Sequence, residues 1–163
     1  MPGLAVLAGC KDDRTGSGTP GSVDPNTGKK VEETPTVDPA VVAALSAAAA
    51  QVTLLSLRYA STSRKFPALR ARLAAGTKYH ASHLTKLKET AGVKAATPKA
   101  PAVATSSSAA LAQLAAQEKR AAAIHAAAAA KLSGAPARLL AMIAAAEIQL
   151  GTSLTTPKQK DAS

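Results

Sequence analysis

The chain has 163 residues and a formal net charge of +10 at neutral pH. That length is enough for one modest domain and excludes a second large core. Its 41 alanines accompany no tryptophan, one phenylalanine and two tyrosines, which excludes a core of large aromatic side chains and favours closely packed helices. Over residues 41–163 sixteen basic side chains outnumber four acidic ones, so this part should prefer anionic partners.

The first ten residues, MPGLAVLAGC, end in the only cysteine of the chain, Cys10. The run from Leu7 to Cys10 resembles the lipobox of bacterial lipoproteins, in which a signal peptidase cuts before a cysteine that carries a diacylglyceryl group. This resemblance implies a signal peptide over residues 1–10 and fatty acylation of Cys10. It also implies a protein anchored to the extracytoplasmic face of the cell membrane. The alternative is a cytosolic protein in which LAGC arose by chance.

Residues 11–38 are rich in glycine, proline, threonine and aspartate and contain almost no apolar side chains. This composition predicts a disordered tether, and a second disordered tail is expected over residues 155–163. No uninterrupted apolar run of about 20 residues is present, so the sequence predicts no membrane-spanning helix. Residues 39–154 are therefore expected to form the only folded domain.

The first predicted helix begins at Pro39, with Asp38 as its N-cap. Its apolar stripe is expected to include Tyr59, near which the helix should end because a Ser-Thr-Ser run occupies residues 61–63. Gln51 lies on the flank of that stripe.

The second predicted helix runs from Pro67 to just before Gly92, a residue typical of helix C-caps. Its inward positions are spaced alternately by three and four residues, which is a heptad seam. His80 and His83 both fall on this seam. We therefore expect two imidazoles on the packed face of a helix that is otherwise lined by leucines.

The third predicted helix follows the serines at residues 106–108 and ends near Leu132, and the fourth begins at Pro136. Both repeat the alternating spacing of three and four residues. The polar residues on these two seams are Glu118, His125 and Glu147. A buried polar face is thus predicted for three of the four helices.

Short connections join the first helix to the second and the third to the fourth, whereas residues 93–107 form a longer one. Extended at about 3.1 Å per residue, those fifteen residues reach roughly 46 Å, and a 25-residue helix is about 37 Å long. This connection can therefore cross a whole bundle. The predicted fold is all-α, an antiparallel four-helix bundle with a long crossover between the second and third helices.

Counting from the predicted helix starts puts Gln51, His80, Glu118 and Glu147 near one level of the bundle. Together with the crossover, this pattern resembles the ferritin-like fold. The stretches AAAAQVTLLSLRYA, YHASHLTKL, LAAQEKRAAAIHAAA and ARLLAMIAAAEIQL are similar to alanine-rich ferritin-like domains in exported lipoproteins of high-GC Gram-positive (actinobacterial) bacteria. The resemblance implies a metal site. Its candidate ligands are His80, His83, Glu118 and Glu147, with Gln51 and His125 as polar neighbours in the core.

The chain departs from the ferritin-like iron pattern because Gln51 and His80 occupy glutamate positions, and Leu150 stands where a histidine would follow Glu147. Only two carboxylates remain, whereas a di-iron centre needs about four. We therefore expect no enzyme activity and no catalytic residues. The candidate ligands form either a hydrogen-bonded cluster without metal, or a mononuclear zinc or iron site, or, least favoured, a di-iron site.

The function expected first is that of a non-enzymatic binding or structural module on a cell-envelope lipoprotein. Its partners would be the membrane, through the lipid anchor, and an anionic lipid, a cell-wall polymer or an envelope protein. The first alternative is a ferritin-like protein that binds zinc or iron. The second is a basic histone-like nucleic-acid binder, against which the scarcity of aromatic stacking side chains and the predicted export both argue.

Overall fold

The structure is a computed structural model that describes residues 37–96, 98–99 and 102–156. These residues form four α-helices and no strand, which confirms the all-α class and the four-helix bundle. The helices are α1 (Pro39–Lys65), α2 (Arg70–Lys88), α3 (Ser107–Ala129) and α4 (Gly134–Thr155), with a 3-10 turn at Pro67–Leu69. The predicted lipidation site Cys10, the signal peptide over residues 1–10 and nearly all of the tether and tail lie outside the described residues.

Two helices begin at side-chain caps, as their sequences suggest. The Asp38 carboxylate accepts a hydrogen bond from the Ala40 N–H at 2.8 Å, and Pro39 occupies the first turn of α1. At the start of α3, the Ser106 hydroxyl accepts a hydrogen bond from the Ala109 N–H at 3.2 Å. Each cap satisfies a backbone donor that a helix terminus otherwise leaves without a partner.

The predicted end of the first helix near Tyr59 is wrong. α1 continues through the Ser-Thr-Ser run, where Thr62 is buried, and ends at Lys65. It stops there because Pro67 disfavours helical backbone in the residue before it, and Phe66 accordingly has φ −126° and ψ 81°. Tertiary burial of one face outweighs the weak helix propensity of three hydroxyl residues.

The other boundaries differ from the predictions by a few residues. α2 begins at Arg70, after the 3-10 turn, and ends at Lys88. Gly92 has φ +85°, a left-handed conformation that glycine adopts without steric cost. α3 ends at Ala129, before the predicted Leu132, and α4 begins ahead of Pro136.

Two apolar clusters fill the core, and each receives side chains from all four helices. The Leu45 cluster consists of Leu45, Ala48, Ala49, Val52, Leu87, Leu140 and Ile143, with Leu84, Ala128, Ala129, Leu132 and Leu139 partly buried against it. The Tyr59 cluster consists of Tyr59, Leu73, Leu111, Leu114, Ala115 and Leu154, with Leu69 packed against it. Along α2, α3 and α4, the buried polar residues fall between the positions that contribute to the two clusters.

The connection between α2 and α3 contacts α1 near both of its ends. The Lys94 N–H donates a hydrogen bond to the Ser46 hydroxyl at 3.1 Å. Further along the connection, the Val103 carbonyl accepts a hydrogen bond from Lys65 Nζ at 3.1 Å. Ser46 lies in the first turns of α1 and Lys65 is its last residue, so the described part of this connection reaches from one end of α1 to the other.

Two of the helices, α1 and α4, are long and apolar enough to cross a membrane by length and composition alone. The sequence contains no uninterrupted apolar run of about 20 residues, but its many alanines raise the mean hydropathy of both segments. Core helices of soluble proteins pass the same test, so this is weak evidence. In the described structure both helices contribute buried side chains to the Leu45 cluster.

Candidate metal centre

Five titratable side chains are buried in one region of the bundle, which we call the polar layer. Their exposed fractions lie between 0 and 6%. The residues are His80, His83, Glu118, His125 and Glu147. The heptad spacing of α2, α3 and α4 is the reason for this burial, because it keeps all five on the inward face of their helices.

Small residues let the helices approach closely beside the polar layer. A Cβ atom added to Gly151 of α4 would lie 3.2 Å from the Ala115 carbonyl oxygen and 3.3 Å from Glu118 Cβ. The backbones of α3 and α4 are therefore in close contact at the level of Glu118. This contact holds the carboxylates of the two helices near each other.

Two histidine–glutamate pairs account for four of the five residues. His80 Nε2 lies 2.8 Å from Glu118 Oε1, which links α2 to α3. His125 Nδ1 lies 2.8 Å from Glu147 Oε2, which links α3 to α4. In each pair the imidazole N–H donates to a carboxylate oxygen, a short charge-assisted hydrogen bond that also fixes the ring tautomer.

Each paired residue has a second polar atom, and none of these atoms has a hydrogen-bond partner among the described residues. The four atoms are His80 Nδ1, Glu118 Oε2, His125 Nε2 and Glu147 Oε1. Buried polar atoms are nearly always hydrogen-bonded in folded proteins, so these four exceptions, with His83 Nδ1 as a fifth in the same layer, need an explanation. With each imidazole donating its N–H to a carboxylate, all four atoms present lone pairs. Such lone pairs are satisfied either by hydrogen-bond donors, such as the buried Tyr59 hydroxyl, or by a cation.

Three of these residues lie close enough together to hold a metal ion. His80, Glu118 and Glu147 each offer one ligand atom, and the three atoms lie within 4.8 Å of one another. A nitrogen and oxygen donor set suits zinc or iron, which bind such ligands at about 2.0–2.2 Å. The two carboxylates together balance the charge of one divalent ion. The hydrogen bond from His125 to Glu147 fixes the orientation of that carboxylate.

The other predicted site residues lie outside this group of three. The ring centroid of His83 is 6.4 Å from that of His80. Burial, followed by the nearby His80 and His125, lowers the pKa of His83. Gln51 is half-buried and takes no part in the two pairs. The neighbouring residue Val52, and not Gln51, is the one that α1 buries at this point, in the Leu45 cluster.

The pKa of Glu147 is raised, chiefly because burial disfavours its charged form. The hydrogen bond from His125 and the positive charge of that imidazole, when protonated, oppose the shift. A ligand whose charge is costly to bury gains more from a bound cation than an exposed carboxylate does.

Sequence reasoning assigned Tyr59 to an apolar stripe and missed its contact with the polar layer. Its ring packs edge-on against His80, with the centroids 5.1 Å apart and the planes at 71°. The Oη atom is buried without a partner among the described residues. Burial first, and then the negative charges of Glu118 and Glu147, raise the pKa of Tyr59.

Gly76 makes room for this tyrosine. A Cβ atom at residue 76 would lie 2.6 Å from Cζ and 2.8 Å from Oη of Tyr59, inside van der Waals contact. The sequence did contain a signal for this arrangement. Gly76 is a glycine in the middle of a helical seam, where it costs about 1 kcal/mol relative to alanine. Such a residue indicates the close approach of another group.

Comparisons with protein-family models, with curated proteins and with solved structures find no match for this chain.

Proposed function

We propose that this protein binds one divalent transition-metal ion, zinc or iron, through His80, Glu118 and Glu147. The observation that carries the proposal is the set of four buried lone-pair atoms without partners around these residues. Burying two carboxylates in a low-dielectric core is costly unless their charge is compensated. One divalent ion neutralises both and also accepts the free lone pair of His80.

The competing interpretation is a hydrogen-bonded cluster that needs no metal. Each histidine does hydrogen-bond to a glutamate, and this favours an ordered cluster. Those two bonds, however, satisfy only one polar atom of each residue. Metal binding accounts for the free atoms of His80, Glu118 and Glu147, and the hydrogen bond from His125 then orients Glu147 as a ligand rather than forming a second centre.

We further propose the ferritin-like arrangement of the four helices. The Leu45 cluster draws on the starts of α1 and α4 and on the ends of α2 and α3. The Tyr59 cluster draws on the opposite end of each helix. Side chains that share a cluster are close in space, so α1 and α4 run one way and α2 and α3 the other. The contacts of the α2–α3 connection with both ends of α1 support the long crossover that this topology needs.

We propose that Cys10 carries the lipid anchor and that the metal-binding domain lies on the extracytoplasmic face of the membrane. The LAGC motif and the polar composition of residues 11–38 support this placement. We assign no enzymatic activity, because His80, Glu118 and Glu147 are 0% exposed and a substrate would have to enter the core. The proposed role is to hold or sequester the ion.

Elemental analysis of protein purified without chelators tests the metal proposal. We expect one equivalent of zinc or iron per chain and a thermal midpoint that falls when a chelator removes it. Glu118→Gln should abolish binding, whereas Glu89→Gln, a matched change at an exposed carboxylate, should not. Protein that binds no stoichiometric metal, with a midpoint that chelator leaves unchanged, would contradict the proposal.

Metabolic labelling with a fatty acid analogue tests the anchor separately. We expect label on the full chain in its native host and none on Cys10→Ser, since Cys10 is the only cysteine. An unlabelled protein in the cytosolic fraction would show that the anchor is wrong, and it would leave the metal proposal standing.

A further inference from the structure

The outer surface of α2 carries an unusual concentration of positive charge. The helix contains five basic residues and no acidic one. Arg72 is engaged, because its guanidinium donates to the Leu154 and Thr156 carbonyls at 2.8 and 2.7 Å, at the end of α4. The other four basic side chains are exposed. They are Arg70, Lys78, Lys86 and Lys88, which we call the α2 basic face.

These four residues lie on one side of the helix. At 100° per residue, all of them fall within the half of the circumference opposite the whole buried stripe of α2, which consists of Leu73, Gly76, His80, His83 and Leu87. From Arg70 to Lys88 the face extends about 27 Å along the axis. The exposed residues between them are mostly alanine, serine and threonine, so long cationic side chains project beyond a smooth surface.

Little negative charge offsets this face. The described residues contain four acidic side chains, of which Glu118 and Glu147 are buried in the polar layer. Asp38 caps α1, and Glu89 forms an exposed ion pair with Lys86 at 2.9 Å. α4, by contrast, contains a single basic residue, Arg138. Positive charge is thus denser on α2 than on α4.

We propose that the α2 basic face docks on the surface of an anionic phospholipid bilayer. Each lysine or arginine close to such a surface is attracted by its negative potential. Tyr79, half-exposed at the edge of the face, has the amphipathic ring that suits the headgroup region. The four cations are spread over about 160° of the helix circumference, and their long side chains let them reach one plane of phosphates together. Proteins that bind single-stranded nucleic acids stack the bases on several aromatic side chains. The described surface adjoining this face lacks such a group.

The docking proposal rests partly on the proposed lipid anchor. The composition of residues 11–38 predicts a flexible tether, and 28 residues of that kind would have a root-mean-square span of roughly 30 Å, so an anchored domain would stay close to the bilayer. At that effective concentration, modest attraction is enough to orient the domain with α2 towards the membrane. The outer surfaces of α3 and α4 then remain directed away from it.

Vesicle cosedimentation of the unlipidated Cys10→Ser chain tests the docking without the anchor. We expect binding to phosphatidylcholine vesicles that contain phosphatidylglycerol, no binding to phosphatidylcholine alone, and release as salt shortens the screening length. Lys78→Gln with Lys88→Gln should weaken binding by about 25-fold, at about fivefold per residue. The matched pair Lys119→Gln with Arg120→Gln, exposed on α3, should change it less than about twofold.

Three results would overturn the docking proposal. The first is the absence of binding to phosphatidylglycerol vesicles at low salt. The second is an equal loss from both pairs of substitutions, which would mean that net charge alone attracts the protein. The third is tighter binding to duplex DNA than to vesicles, which would make the face a nucleic-acid surface. A chain that binds vesicles but is never acylated would separate this proposal from the anchor.

Discussion

The Leu45 cluster and the polar layer are buried to a similar degree but contribute differently to the stability of the fold. Leu45, Leu140 and Glu118 are all 0% exposed. Burial of the leucines removes apolar surface from water and stabilises the fold by about 25 cal/mol per Å². Burial of Glu118 removes a carboxylate from water, and one hydrogen bond to His80 offsets only part of the cost. The apolar cluster therefore stabilises the bundle, whereas the polar layer is the region that we propose binds the metal ion.

The largest effect should come from truncating the apolar cluster. Leu140→Ala should lower the free energy of unfolding by about 2–5 kcal/mol, because it removes a buried side chain and leaves a cavity. Denaturant titration measures the change. Metal stoichiometry should stay at one, and Met142→Ala on the exposed side of α4 should cost little. Loss of metal together with stability would show that the two regions are not separable.

Replacing a whole pair in the polar layer should have the opposite effect. His125→Leu with Glu147→Leu should leave the metal-free protein equally stable or more stable by about 1–4 kcal/mol, because a buried pair gives way to apolar packing. The same protein should bind no metal. Denaturant titration with and without chelator measures both effects. A large loss of stability in the chelated protein would mean that the pair stabilises the fold after all.

Filling the space at Gly76 sharpens the comparison, because this residue separates the Tyr59 cluster from the polar layer. Gly76→Ala should destabilise the protein by about 1–3 kcal/mol, since the new methyl group meets the Tyr59 ring. In a Tyr59→Leu background the same substitution should cost much less, and a double-mutant cycle measures the difference. Equal costs in both backgrounds would disprove the contact.

The smallest effects concern pH, and they belong to the polar layer alone. Burial raises the pKa of Glu147 above 4.5, so the native state holds that proton more tightly and stability falls as pH rises through the window above 4.5. Burial lowers the pKa of His83 below 6.5, so the unfolded chain binds that proton first and stability falls as pH drops below 6.5. The two slopes oppose each other, and each is below about 1.4 kcal/mol per pH unit.

Thermal midpoints of chelated protein, recorded from about pH 4 to about pH 8, resolve these slopes. Glu147→Gln should remove the decline towards high pH, and His83→Gln the decline towards low pH. Leu140→Ala serves as the control, because it should shift the whole curve without changing its shape. A curve that Glu147→Gln leaves unchanged would mean that this carboxyl is not perturbed.

Helical spacing in the sequence was enough to predict which histidine and glutamate side chains of α2, α3 and α4 are buried. Heptad spacing put His80, His83, Glu118, His125 and Glu147 on inward faces, and all five are buried in the structure. The start of α1 at Pro39 was also predicted from the sequence, because an N-cap acts within one helical turn. A helix has a fixed period, so local information is sufficient for these features.

Only the tertiary structure decided which of those side chains meet. It paired His125 with Glu147, left His83 outside the group of three ligand atoms, and brought Tyr59 against His80 through the space at Gly76. These contacts depend on the axial position and spacing of one helix relative to another. In an alanine-rich bundle, small side chains allow several such positions, and the sum of distant packing contacts selects among them.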